Sequence, residues 1–61
     1  MIITTDLASY AISLEYDVGL GCWVMETVGI EMPILHSAPF IDQCVTQMVE
    51  GIRRLEESLH E

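Results

Sequence analysis

Four side chains in this sequence are soft enough to ligate a metal: Cys22, His36, Cys44 and His60, separated by 14, 8 and 16 residues. Zinc sites in small domains draw on closely spaced ligand pairs, because two ligands a few residues apart converge on one ion from a single turn. No such pair exists here, so the spacing predicts neither a metal centre nor any other cofactor. Cys44 falls instead in a helical apolar stripe, where a thiol packs as a small hydrophobe. His36, Ser37 and Asp42 bring an imidazole, a hydroxyl and a carboxylate close together in the chain. A nucleophile and its base must meet in space, however, and adjacency in sequence does not orient one toward the other. The stretch is read as a loop and a helix start. Gly19-Leu20-Gly21 has the glycines of half a phosphate loop but lacks the Lys-Ser/Thr that would follow, and it leads into a strand, so it is read as a turn. Glu15 and Asp17 share one strand face, as an acid–base pair would, but solvated strand carboxylates are the commoner use of that spacing.

Catalysis also needs volume. A domain of 61 residues has little room for a pocket of ~300 Å³ or more, and the chain reads as a binding protein rather than an enzyme. Trp23, Tyr10 and Tyr16 are the side chains best suited to anchor a partner, since desolvated aromatics dominate interface energetics. Tyr10 and Tyr16 lie on the apolar side of a strand and are assigned to the core; Trp23 is the candidate anchor.

These residues are positioned by a single α+β domain spanning 1–61, with strands over about 10–35 and a helix over about 39–60. Tyr10, Ile12, Leu14 and Tyr16 alternate with Ala11, Ser13, Glu15 and Asp17, the period of a strand with one buried face. Asp17 to Gly21 then forms a hairpin connection whose two glycines supply positive φ. The next run, from Cys22 to Val28, is apolar on both faces for most of its length and predicts a strand that is central or covered by a second subunit. A third segment at residues 30–35 contains Pro33, which lacks an N–H and confines it to an edge or an irregular path. Residues 1–4 are read as a further short strand or a disordered end. From Pro39 the period changes to that of a helix, with Ile41, Cys44, Val45, Met48, Val49, Ile52, Leu55 and Leu59 in one stripe. Glu56, Glu57 and Glu61 are placed on its outer face. Gly51 lies within the helix at a cost of roughly 1 kcal/mol relative to Ala, which calls for a close approach by a strand or a second helix. The expected architecture is an antiparallel sheet of two to four strands with one long C-terminal helix on one face.

Charge narrows the choice of partner. The formal net charge is −8, and residues 1–37 carry five acids (Asp6, Glu15, Asp17, Glu26, Glu31) and no Lys or Arg. Nucleic-acid binding depends on neutralising phosphates with basic side chains, and this surface would repel them. The same field accelerates encounter with a basic protein, such as a nuclease or another nucleic-acid-binding protein. Glu15, Asp17, Glu26 and Glu31 are the expected steering residues, with Trp23 as the candidate anchor. Hydrophobic residues make up 51% of the chain, more than a thin core hides, and a homodimer is the expected way to cover the surplus. Two dispersed cysteines, no leader-like opening and no long apolar run predict a cytoplasmic protein with reduced thiols.

The run Leu14-Glu15-Tyr16-Asp17, a glycine-containing turn, Trp23-Val24, and a helix ending in Ile52-Arg53-Arg54-Leu55-Glu56-Glu57 together resemble the HicB-like antitoxin domain over residues 10–60. The resemblance implies a dimerising domain of a β-hairpin, a third strand and one helix that covers the catalytic surface of a small basic ribonuclease toxin, with the acidic hairpin and edge strand as the inhibitory surface. The chain departs from that pattern at His36-Ser37-Ala38-Pro39-Phe40, where the family has a glycine and a Ser/Thr helix cap, and it carries no appended DNA-binding domain. A phage or mobile-element anti-defence protein acting as a nucleic-acid mimic fits the same acidity, and a structural self-assembling subunit fits the same apolar surplus.

Overall fold

The computed structural model describes residues 1–59. Four strands, β1 (Ile2–Thr4), β2 (Ser9–Asp17), β3 (Cys22–Thr27) and β4 (Leu35–Ala38), precede one helix, α1 (Ile41–Leu59). Each strand pairs antiparallel with its predecessor, so the sheet order is β1-β2-β3-β4. The α+β arrangement read from the hydrophobic periods is the one formed, with the helix docked on a single face of the sheet.

Side-chain alternation and register set which face is buried. Ile12 lies opposite Thr27, Leu14 opposite Met25, and Tyr16 opposite Trp23; Met25 and Trp23 continue to His36 and Ala38 on β4. This row carries the sheet's share of the core, in which Ile12, Met25 and Ala38 meet Cys44, Met48 and Ile52 of the helix. The helix enters beside β3 and β4, where the Cys44 thiol lies 3.4 Å from the His36 carbonyl and 3.7 Å from that of Trp23. It ends over β1 and β2, where Glu56 meets Thr5 and Tyr10. This diagonal leaves the corner around Leu14 and Tyr16 thinly covered, and Tyr16 is 49% exposed.

Several local features differ from the sequence reading. The third strand is not at residues 30–35. Residues 28–34 form an irregular connection, turned by Gly29 at φ 83° and closed by the Ile34 amide donating to Thr27 Oγ1 at 2.8 Å. The strand begins at Leu35, past Pro33, where backbone donors are again uninterrupted. His36 and Ser37, read as a loop, therefore belong to β4. Of the two hairpin glycines only Gly21 has positive φ, at 67°; the turn is held by Asp17, whose carbonyl accepts from the Gly21 amide at 2.8 Å and whose Oδ1 accepts from the Leu20 amide at 3.0 Å. Residues 2–4 do form a strand.

The helix also shows where period alone misleads. Met48 and Ile52 of the apolar stripe are fully buried, but Ile41 is 41% and Leu59 73% exposed, because the two ends overhang the sheet. The buried line advances by fours through Cys44, Met48, Ile52 and Glu56. Glu56, expected on the outer face, is thus an interior residue. The close approach that Gly51 requires comes from side chains of β4 and of the residue before it: a Cβ there would stand 2.9 Å from His36 Nε2 and 3.2 Å from Ile34 Cγ2.

Candidate functional site

The helix covers one face of the sheet, so the other face, made by the odd-numbered residues of β2 with their partners, remains bare. Glu15 stands opposite Val24 and Glu26 opposite Ser13, which makes the two carboxylates diagonal neighbours on adjacent strands, roughly 7–8 Å apart at the backbone. Both are exposed. Asp17 extends the same row to the hairpin end, opposite Cys22, although one of its oxygens is committed to the turn. Around the acids lie Ser13 and Ser37, the half-buried Val24, and the exposed Ile2 and Leu35. The result is a shallow surface of carboxylates, hydroxyls and aliphatic groups. The chain's only cationic side chains besides histidine, Arg53 and Arg54, sit on the helix that packs against the opposite face.

The remaining candidates are placed elsewhere. Glu31 is exposed in the connection between β3 and β4. Trp23 lies on the helix side of the sheet, half-buried against the core, with its ring edge-on to Tyr16 at a centroid distance of 5.2 Å and 69° between planes. That geometry is the favourable one for two quadrupoles. Trp23 and Tyr16 therefore share a patch back to back with Glu15 and Glu26 rather than beside them.

A second constellation escaped the sequence reading. Glu56, 9% exposed, accepts at Oε2 from the Thr5 hydroxyl at 2.5 Å and the Tyr10 hydroxyl at 2.8 Å. Both donors are neutral, and they satisfy a carboxylate that burial would otherwise penalise. The Tyr10 phenol is raised above its ordinary value, first by its hydrogen bond to Glu56, then by burial and the carboxylate's charge. Thr5 Oγ1 in turn accepts from the Leu7 and Ala8 amides at 3.1 and 3.2 Å. Its lone pairs are used in fixing the β1–β2 turn, which unsuits it as a nucleophile despite the adjacent carboxylate. The signal that would have revealed this group is the fourfold spacing Cys44, Met48, Ile52, Glu56, continued one step past the last apolar member.

Beside these residues an open groove of about 480 Å³ is lined by Ile3, Thr4, Thr5, Asp6, Leu7, Val49, Arg53 and Glu56. The groove is a surface cleft between the β1–β2 turn and the helix, closed at one end by the Thr5–Glu56 hydrogen bond. Cys44 is fully buried, and burial pushes its thiol up, which disfavours the thiolate that nucleophilic chemistry would need. Both cysteines are free. Among the described residues no three His, Cys, Asp or Glu side chains converge in a way that could hold a metal ion; His60, the fourth soft ligand of the sequence, lies outside them, as does Glu61. No helix among the described residues is long and apolar enough to cross a membrane.

No family model matches this sequence, and comparison with curated proteins and with solved structures returns no significant match.

Proposed function

We propose that this protein is a small acidic inhibitor, antitoxin-like in manner, that binds a basic nuclease or nucleic-acid-binding protein and blocks it by shape and negative charge. The observation that carries the reading is the row of Glu15, Asp17 and Glu26 on the bare face of the sheet, with both arginines on the helix behind it. A partner whose groove serves phosphates is lined with cationic groups, and such a row meets them without competing positive charge nearby. Aliphatic groups between the acids, Val24 and Leu35, supply contact area that charge alone does not.

The test is inhibition and binding measured against a panel of purified small basic ribonucleases, with wild type and a Glu15→Lys/Glu26→Lys variant. Wild type is expected to bind at least one member with an affinity that falls as salt rises, and the variant to lose about tenfold or more with a shallower salt dependence. Equal affinity and equal salt slope for the two proteins would overturn the reading.

A structural subunit that assembles through this face is the second reading, favoured by Ile2 at 69% and Leu35 at 60% exposure. Light scattering separates the two: a closed dimer or monomer supports the inhibitor, while growth to open-ended oligomers supports the subunit.

A further inference from the structure

Strand β2 is longer than the neighbour that covers its outer edge. β1 pairs with Ser9, Tyr10 and Ala11, and Met1 adds one further pair, its carbonyl accepting from the Ile12 amide at 2.8 Å and its ammonium donating to the Ile12 carbonyl at 3.2 Å. There the pairing stops, five residues before β2 ends at Asp17. Alternation in an antiparallel ladder fixes which groups are left over. Ile12 directs its backbone toward β1, and Ala11 directs its carbonyl toward β3, where it accepts from the Val28 amide at 2.9 Å. Leu14 and Tyr16 follow Ile12 in phase, so their N–H and C=O groups point outward from the sheet. Among the described residues nothing pairs with them.

The side chains flanking this open ladder are sorted by face. On the helix side stand Leu14, Tyr16 and, behind them, Trp23, in the corner that α1 leaves thinly covered. On the bare side stand Ser13, Glu15 and Asp17. Unpaired strand edges are templates for a further strand, the main chain giving affinity and the alternating side chains giving specificity.

Resting on the acidic-binder reading, we infer that the partner is engaged by strand addition: an extended segment alternating basic and apolar residues pairs antiparallel with residues 13–17 of β2. Its apolar side chains lie against Leu14, Tyr16 and Trp23, and its basic side chains lie opposite Glu15 and Asp17. A second copy of this chain is the poorer occupant, because twofold pairing centred on this segment sets Glu15 directly across from its own counterpart, and like charges facing across a ladder repel. The proposal also explains how Trp23 and the acids, on opposite faces, serve one contact.

The probe is a capped pentapeptide, Arg-Val-Arg-Val-Arg, compared with the same peptide N-methylated at its two valine amides, which keeps charge and side chains but removes the donors facing Leu14 and Tyr16. Hydrogen exchange by NMR is expected to show the Leu14 and Tyr16 amides open in the free protein and protected when the parent peptide binds, and methylation to weaken binding about tenfold. Equal binding of the two peptides, or binding without protection of those amides, overturns strand addition while leaving charge-guided binding intact. Protection already present in the free protein also overturns it, since the edge would then be occupied. A protein that binds a basic nuclease through Glu15 and Glu26 but ignores both peptides likewise keeps the first reading and loses this one.

Discussion

Glu56 shows how much one side chain decides in a chain this short. Its carboxylate ties the β1–β2 turn, through Thr5, and the start of β2, through Tyr10, to the last turns of the helix. Replacing it with Ala removes two hydrogen bonds to a charged acceptor and is expected to cost on the order of 2–4 kcal/mol in urea unfolding; Glu56→Gln, which keeps an acceptor oxygen, costs less. The pair also leaves a pH signature. Because the folded protein holds the Tyr10 proton more tightly than the unfolded chain, this contribution is complete below the ordinary phenol value of 10.0 and is lost as pH rises through the raised folded value. Tyr10→Phe is expected to flatten the alkaline limb of the stability profile, and Glu56→Gln to move the Tyr10 titration, followed by ultraviolet absorbance, back toward that value. Sequence reasoning assigned Glu56 to solvent because charge is the usual mark of an outer helix face. A buried acid is visible only when its donors, here more than forty positions away, are known to be adjacent.

At the scale of elements, legibility followed the strength of the period. The nine residues of β2 and the nineteen of α1 carry long alternations that specify the type of each element and the middle of its buried face, but not the ends, where Tyr16, Ile41 and Leu59 are exposed and Glu56 is buried. β4 has four residues, too few for a period, and lies between two prolines; its place in the sheet goes with Ala38 joining Cys44 of the helix in the core, which is tertiary information. Of the five candidate residues, alternation places Glu15 with Asp17 on β2 and sets Trp23 and Glu26 on opposite faces of β3, but which of the latter two shares the face of Glu15 follows only from the register between the strands. The contact between α1 and β4 at Gly51 gives a direct test. Gly51→Ala gains helix propensity of about 1 kcal/mol yet drives a methyl into the His36 imidazole and Ile34. The single variant is therefore expected to be near neutral, while in a His36→Ala background, where only the 3.2 Å contact with Ile34 is left, the same change is expected to stabilise by at most about 1 kcal/mol. A double-mutant cycle in denaturant measures the difference, and additivity within error would place His36 away from Gly51 in solution.

For the molecule as a whole, charge acts in opposite directions on folding and on binding. Ten acids against two arginines repel one another in the folded state, and added salt is expected to raise the thermal midpoint of the free protein over the range where the Debye length falls from ~30 Å to ~8 Å. The same salt weakens attachment to a basic partner, so melting and binding curves recorded across one salt series should move with opposite sign; parallel movement would mean that the acids contribute nothing to attraction. The seating of Met1 against Ile12 has a practical corollary. Residues fused ahead of Met1 would continue β1 in its present direction, and four of them would reach the level of Tyr16. An N-terminal affinity tag would thus act as a tethered competitor for that position, and a tagged preparation should bind the pentapeptide more weakly than one tagged at the other terminus.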